Sequence, residues 1–293
     1  MDQIVTIRNR VVDEIFYALG LSRNGRLRRI LGPLSYLPAT RLARIVAILE
    51  DESPKTGING AAKRILPNLS LHVTARGVEN LPREGPLLVV SNHPGAYDSV
   101  ALTASIPRRD LKLVATDIGF TRAMTNCSRD FIFVSANTTE RMAALRGSVQ
   151  HLRNGGALLI FANGDVEPDP AFMPGAEKTV QNWSSSLEIM LRKVPETCLQ
   201  LVTISGVIQP GFLHNPLIRL RRKPSHRQKM AELLEIIQQM LFPRSIDFHP
   251  NVLFANPILA GELSQEKMMP DIIQHALQLL REHVALYYSS PGE

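Results

Sequence analysis

A histidine and an aspartate five residues apart, His93 and Asp98, are the side chains in this sequence whose types and spacing are best suited to chemistry. An imidazole titrates near neutral pH, so it can take a proton from a hydroxyl group in a transition state. A carboxylate on its other ring nitrogen would fix the tautomer and stabilise the imidazolium. The spacing alone is weak evidence, because a loop histidine followed by an aspartate that caps a helix has the same spacing.

The residues around this pair predict that it lies at the end of a buried strand. Residues 87–90 form a short, continuously apolar run, which is typical of a strand buried on both faces. Pro94 and Gly95 force a turn, and Asp98 is expected at the start of the next helix, so the turn could return the carboxylate to the imidazole. Because the chain has no Ser in a G-x-S-x-G context, we expect direct transfer to an acceptor hydroxyl without a covalent acyl-enzyme.

Strand and helix patterns alternate through most of the chain. Apolar runs predict strands at 69–76, 87–90, 111–115, 131–134, 157–161 and 199–207. Helical spacing predicts helices at 98–106, 140–154, 177–192, 228–240 and 264–287. This alternation predicts an α/β fold with a mixed, mostly parallel sheet flanked by helices.

The N-terminal part has a different pattern. Residues 3–68 contain three or four short helical patterns, with the third expected to start at Pro38 and the fourth at Ser53–Pro54. Several carry arginines beside an apolar face, which suits either a bilayer interface or packing on the domain itself. We therefore predict an amphipathic helical segment over 1–68, membrane-facing or packed on the core, and an α/β domain over 69–293.

The context of the His/Asp pair resembles the glycerolipid acyltransferase family, which acylates glycerol-3-phosphate and lysophosphatidic acid. Residues 77–82 (G-V-E-N-L-P), the apolar strand and residues 92–98 (N-H-P-G-A-Y-D) follow the order of the family's first block, and the resemblance spans roughly residues 69–210. It implies that His93 is the general base and Asp98 its orienting partner. It also implies acyl-CoA or acyl-carrier protein as co-substrate, with no cofactor. Asn92 and Tyr97, inside the motif, become candidates for substrate binding.

Two later blocks depart from the family pattern. Where the family has F-P-E-G-T-R, this chain has Phe161 followed by A-N-G-D, so Asn163 replaces the glutamate and the arginine is absent. The arginine that closes the second block is also absent, and the nearest basic residue there is Arg141. Since these blocks hold the acceptor in the family, four residues are predicted to bind substrate here. They are Asn163, Gly164, Asp165 and Arg141.

These departures bear on the acceptor. A phosphate is best held by Arg forks and backbone N–H groups, and carboxylates such as Asp165 and Glu167 would repel it. We therefore expect a non-phosphorylated or differently charged hydroxyl acceptor. The alternative is that Arg141 and Lys178 bind a phosphate in place of the missing arginines. The same departures leave open a catalytically inactive, membrane-peripheral lipid-binding relative.

The charge distribution indicates a partner. The net charge is +6, and residues 1–70 alone hold 11 Lys/Arg against 6 Asp/Glu. A second basic cluster without acids comprises Arg219, Arg221, Arg222, Lys223, Arg227 and Lys229. Such patches attract anionic lipid, nucleic acid or acidic protein, or are simply solvated. Since few aromatics and no nucleic-acid-reading motif are present, we expect a membrane lipid surface and no nucleic acid.

Compartment and metal content follow from what the sequence lacks. No run reaches the roughly 18 apolar residues of a membrane span, and the first residues do not form a secretory signal. Two cysteines, Cys127 and Cys198, give neither a disulfide framework nor a metal cluster, and the remaining histidines lack ligand spacing. We expect no metal, and a cytoplasmic protein that is peripheral on the inner face of a membrane.

Overall fold

The structure, a computed structural model, describes residues 3–20 and 26–289. For residues 26–31 it describes the backbone alone. Eight strands within this part form one mixed sheet in the order β1-β7-β6-β2-β5-β3-β4, with β8 paired to β6. The strands are β1 (Thr74–Arg76), β2 (Leu87–Ser91), β3 (Lys112–Thr116), β4 (Phe131–Val134), β5 (Ala157–Phe161), β6 (Cys198–Ser205), β7 (Asn251–Phe254) and β8 (Ile258–Leu259).

Helices cover both faces and the start of the chain. They are α1 (Gln3–Ala18), α2 (Arg26–Ile65), α3 (Asp98–Ser105), α4 (Gly119–Ala123), α5 (Thr138–Arg153), α6 (Ala176–Val180), α7 (Ser186–Lys193), α8 (Pro210–Leu213), α9 (Pro224–Leu241) and α10 (Met268–Ser289). All pairs in the sheet are parallel except β6 with β7 and β6 with β8. The predicted α/β fold with a mostly parallel sheet is confirmed.

Strand β2 lies at the centre of the sheet, and every residue in it is buried. Leu87 and Val89 belong to a core cluster shared with α1, α2 and α9, whereas Leu88 and Val90 belong to a second cluster shared with α5, α7 and α10. Because successive side chains of a strand face opposite sides, the continuous apolar run serves both helical layers. The sheet is therefore the middle of three layers.

The carboxyl ends of the central strands coincide. Ser91 at the end of β2 pairs with Phe161 of β5 on one side and with Val202 of β6 on the other. Loops that leave these strands in the same direction therefore start side by side. This register brings the segment after β2, which contains His93, next to the segment after β5, which contains Asn163.

The N-terminal helices differ from the predicted short pieces. A single helical run, Arg26–Ile65, replaces the separate second, third and fourth helices, and Pro38 lies inside it. The break falls at Gly57, whose φ of 78° and ψ of 165° are not helical. Glycine adopts positive φ without the steric cost that a Cβ brings, so the helical backbone can be interrupted at this residue. Buried residues of α1 and α2, among them Phe16 and Ala43, join the core cluster of β2.

Other boundaries also need correction. The predicted strand 69–76 is reduced to Thr74–Arg76, because Leu66–Leu69 forms a 3-10 helix before it. The predicted helix 177–192 is two short helices, Ala176–Val180 and Ser186–Lys193. Strand β7 was not predicted, although its buried Val252, Leu253 and Phe254 form an apolar run. Among the described helices, none has the length and apolarity required to cross a bilayer.

Candidate active site

The His93 and Asp98 side chains form a hydrogen-bonded pair. Nδ1 of His93 lies 2.7 Å from Oδ2 of Asp98, and that oxygen also accepts the N–H of Gly95 at 3.0 Å. Asp98 is the first residue of α3 and is fully buried, whereas the His93 side chain is 28% exposed. The Pro-Gly turn thus returns the carboxylate to the imidazole, as the sequence predicted. With Nδ1 held by Asp98, Nε2 is the ring nitrogen that can exchange a proton with a substrate.

The ring of His93 is also supported from the neighbouring strand. Phe161, the last residue of β5, stacks on the imidazole with ring centroids 4.4 Å apart and planes 24° from parallel. Phe161 is one of the residues by which the sequence resembles the family's third block. The two blocks are therefore in direct contact through one pair of rings.

The main chain of His93 is bound by a residue that the sequence did not single out as part of the site. The N–H of His93 donates to Oε2 of Glu167 at 2.9 Å, and the N–H of Glu167 donates to the carbonyl of His93 at 2.7 Å. Trp183 donates its indole N–H to Oε1 of Glu167 at 3.2 Å. Glu167 is buried, so it faces the histidine and not the acceptor side.

A polar stripe on α9 packs against the loop that carries His93. Its members are Gln228, Glu232, Glu235 and Gln239, all buried and spaced for one face of a helix. Gln228 donates through Nε2 to the carbonyls of Pro94 at 2.7 Å and Glu167 at 2.8 Å. The sequence does contain a signal for this stripe. Polar residues recur at every third or fourth position of the helix, which is the spacing of one helix face.

Electrostatics at the pair favour the charged imidazole. Burial lowers the pKa of His93, but the charge and hydrogen bond of Asp98, with further charge from Glu232 and Glu167, outweigh burial and raise this pKa above its usual 6.5. Burial in turn raises the pKa of Glu232 to about 8. A carboxyl-rich surrounding of this kind stabilises the imidazolium that forms when the ring accepts a proton.

His93 lines two cavities. The first, about 640 Å³, has walls from α1, α2 and α9, and we call it the helix cavity. Apolar side chains dominate it, including Val11, Ile15, Leu42, Leu233, Ile236, Ile237 and Met240. The sequence did not predict it, because its walls come from segments far apart in the chain.

The second cavity, about 530 Å³, lies at the ends of β3, β4 and β5, and we call it the strand-end cavity. Asn163, Gly164, Asp165 and Arg141 all line it together with His93, so four predicted substrate-binding residues are brought together. Gly164 has a φ of 71°, and no atom lies within 4 Å of where a Cβ would be. Its backbone is therefore open to a close approach by another molecule.

Lys229 also lines both cavities, although the sequence reading placed it only in a basic cluster. Its Nζ lies 2.6 Å from Oδ1 of Asp165. Burial raises the pKa of Asp165, but the bond to Lys229 and neighbouring groups outweigh it and lower this pKa. The expected pair of free carboxylates at 165 and 167 is therefore wrong, since one is paired with a lysine and the other is turned toward His93.

Two of the predicted residues lie behind the pair. Asn92 is buried and bonds the backbone of Ile204 twice, donating to its carbonyl and accepting its N–H, each at 2.9 Å. Tyr97 is buried too, with its hydroxyl on Gln239 and its ring edge-on to Phe248. The structure thus places both in the packing that supports the motif and not on either cavity.

No cluster of three His, Cys, Asp or Glu side chains suited to a metal ion occurs within residues 3–20 and 26–289.

Lys178 stands on the exposed side of α6, away from the residues that line the strand-end cavity. Among the described residues, the basic side chains that line the strand-end cavity are therefore Arg141 and Lys229.

Comparison with known proteins agrees with the motifs. The family model described as Acyltransferase matches residues 72–191, which include His93, Asp98 and the residues after β5. A similar solved structure is the 1-acyl-sn-glycerophosphate (LPA) acyltransferase PlsC from Thermotoga maritima, with a TM-score of 0.50 and 16% identity. The match covers 98% of this chain and 99% of that one. No curated protein gives a significant match to the sequence.

Proposed function

Because residues 72–191 match the family model described as Acyltransferase, we propose that this chain is an O-acyltransferase that moves a fatty acyl chain onto the hydroxyl of a glycerolipid-like or other lipid acceptor. The donor is a thioester, either acyl-CoA or acyl-carrier protein. The observation that carries the proposal is the His93–Asp98 pair, which opens on an apolar cavity and a more polar one at the same time.

The mechanism that fits this geometry is direct general-base transfer. His93 takes the proton of the acceptor hydroxyl at Nε2 while the oxygen attacks the thioester carbonyl carbon. Asp98 holds Nδ1 and stabilises the imidazolium. The C–S bond then breaks, an ester forms, and the proton on His93 passes to the departing thiolate.

In this proposal, each of the two cavities binds a different substrate. The helix cavity has the size and the apolar lining expected of a site for a long hydrocarbon chain. The strand-end cavity offers Asn163, Arg141 and Lys229 for the polar part of a second substrate. Both substrates would thereby meet at His93, which lines both cavities.

The proposal is tested with purified protein, acyl-CoA or acyl-carrier-protein donors and hydroxyl lipid acceptors. Esterified product is detected by mass spectrometry. Lipid profiling of a host that expresses the wild type or His93→Ala gives an independent reading. New ester lipid in the wild-type host that is absent from the variant host supports the proposal, and identical profiles with no product in vitro count against it.

We expect an uncharged or zwitterionic hydroxyl acceptor to be used better than glycerol-3-phosphate. Asn163 stands where the family has glutamate, and Lys229 is already bound to Asp165. Within the described part of the chain, Arg141 is thus the cation on the strand-end cavity that has no ion pair. A phosphate dianion without an Arg fork would be poorly compensated there. The measurement is kcat/KM for a panel of acceptors at one donor concentration.

Arg141→Ala and Lys178→Ala form the matched pair of variants for this panel. Arg141 lines the cavity, whereas Lys178 lies on the exposed side of α6. If glycerol-3-phosphate or lysophosphatidic acid is the best acceptor and Arg141→Ala selectively raises its KM, the expectation is wrong and Arg141 replaces the missing arginines.

Membrane attachment is the second part of the proposal. Large apolar side chains are exposed on α1, α2, the 3-10 helix Pro216–Leu220 and the end of α9, namely Tyr17, Leu34, Tyr36, Leu37, Leu217, Leu220 and Phe242. Two arginines join these elements. Arg221 donates to the carbonyl of Ala18, and Arg41 donates to the carbonyl of Leu241 at 2.7 Å. We infer that the exposed side chains next to these bonds share one surface.

Cations accompany this surface, since Arg219, Arg221 and Arg222 adjoin Leu220. Basic and exposed apolar groups together suit an anionic lipid interface, where each Lys or Arg near the surface contributes about 1 kcal/mol. We propose on these grounds that the protein is peripheral on the cytoplasmic, inner face of a membrane, with the lipid surface next to the helix cavity.

We expect the protein to bind anionic vesicles in a manner that weakens as salt rises, because screening reduces the cationic contribution. Leu220→Gln should weaken binding further at all salt concentrations. Leu259→Gln is the matched control, since Leu259 is also exposed but lies on β8. Vesicle sedimentation gives the bound fraction. Equal binding to neutral vesicles, or an equal effect of both leucine variants, would contradict the proposed surface.

A further inference from the structure

We propose that Glu167 is the positioning residue for the general base, because it binds both the N–H and the carbonyl of His93. The inference rests on the proposed function of His93. It concerns a residue outside the His-Asp motif, 74 positions further along the chain.

The contact between the two residues is reciprocal. Oε2 of Glu167 accepts the N–H of His93 at 2.9 Å, and the carbonyl of His93 accepts the N–H of Glu167 at 2.7 Å. Both polar groups of the histidine backbone are therefore bound to one residue. Since the position of an imidazole follows from its Cα, a fixed backbone limits the ring to rotations of the side chain.

The carboxylate of Glu167 is itself held in place. Trp183 donates to Oε1 at 3.2 Å, so each carboxylate oxygen has its own N–H donor. Gln228 then binds the Glu167 carbonyl at 2.8 Å and the Pro94 carbonyl at 2.7 Å, which ties the two loops to α9. Because these bonds fix the rotamer of Glu167, they also restrict the movement of the His93 main chain that Glu167 binds.

A carboxylate does more at this position than a neutral acceptor would. A charged acceptor makes a stronger bond to a backbone N–H. Its charge also adds to that of Asp98 in favouring the imidazolium of His93. Burial works against this charge and raises the pKa of Glu167, so a merely structural contact would be better served by an amide.

The test is a pair of substitutions, Glu167→Ala and Glu167→Gln. We expect Glu167→Ala to lower kcat by about tenfold to a hundredfold, the scale of a misplaced catalytic group, with KM for the acyl donor within about twofold. Glu167→Gln should recover most of this loss, because its amide oxygen still accepts the N–H of His93. In both variants the acidic limb of the pH profile should move to lower pH.

An NMR titration of the His93 imidazole provides a readout that does not need turnover. Loss of the Glu167 charge should lower the pKa of His93 in Glu167→Gln. The matched control is Glu50→Gln, since Glu50 is a fully buried carboxylate that accepts the N–H groups of Asn126 at 2.9 Å and Cys127 at 2.8 Å away from the cavities. It should lose thermal stability without a change in kcat or in the His93 titration.

Distinct results would overturn the proposal. A folded Glu167→Ala protein with wild-type kcat and pH profile shows that Glu167 does not position the base. An unchanged His93 titration in Glu167→Gln shows that the charge of Glu167 does not act on the imidazole. If Glu167→Ala does not fold, Trp183→Phe and Glu167→Gln carry the same comparison. Absence of transfer by the wild type would instead contradict the proposed function, and the titration would still decide the role of Glu167.

Discussion

His93→Ala is expected to lower acyl transfer by at least about a hundredfold, the scale of a lost general base. In the proposed reaction, Nε2 of His93 accepts the proton of the attacking hydroxyl. His226 also lines the helix cavity, but among the described residues it is the His93 imidazole that is hydrogen-bonded to Asp98. The side chain lies partly exposed at the cavity walls, so its removal should change thermal stability little. Steady-state kinetics on protein with a wild-type melting temperature gives the comparison.

His151→Ala is the matched control for this substitution. His151 is also partly buried, but its Nε2 contacts the carbonyls of Asp110 and Ala157, and Ala157 is the first residue of β5, at the opposite end from Phe161. It should retain kcat. Acyl transfer by folded His93→Ala at the wild-type rate would refute the assignment of His93 as the base.

Asp98→Asn is expected to lower kcat/KM by about a hundredfold to ten-thousandfold and to shift its pH dependence. The asparagine amide can donate to Nδ1 and so favour the tautomer whose Nε2 already carries a proton. The sign of the pH shift follows from the base having to be neutral. Asp98 raises the pKa of His93 against burial, so the acidic limb of the wild type lies above pH 6.5, and loss of the carboxylate moves the limb to lower pH.

Asp130→Asn serves as the control, because Asp130 accepts a hydroxyl hydrogen bond from Ser53 at 3.0 Å at a site without contact to His93. Rate measurements across pH 5 to 10 should leave this control with the wild-type profile. An acidic limb that stays in place in Asp98→Asn would mean that the titration seen in the rate belongs to a group other than His93.

Local patterns were sufficient for several strands of the sheet and for the turn within the motif. Strands β4 and β5 lie at the predicted residues, 131–134 and 157–161, since a short apolar run bounded by turns has few other ways to be buried. The approach of Asp98 to His93 was also predictable. Asp98 follows His93 by five residues, and the Pro-Gly turn between them reverses the chain so that the carboxylate returns toward the imidazole.

Contacts between distant segments were not accessible in the same way. Glu167 meets His93 across 74 residues, Lys229 meets Asp165 across 64, and nothing in their local sequence marks the partner. The expectation that Asp165 and Glu167 would both repel a phosphate failed for this reason, since charge counted along the chain ignores which way each carboxylate points. The helix cavity is a third case, as its walls combine residues near 15, 40 and 235.

The walls of the helix cavity and the His93–Asp98 pair come from different parts of the chain, so mutations can change one without the other. The pair that performs the proposed chemistry lies within residues 72–191, whereas α1, α2 and α9, which enclose the helix cavity, all lie outside them. Substitutions of apolar cavity residues that lengthen, shorten or narrow the space proposed for a hydrocarbon chain can therefore accumulate without altering the proposed proton transfer. Such a protein can track the fatty-acid composition of its host over evolutionary time while its reaction stays the same.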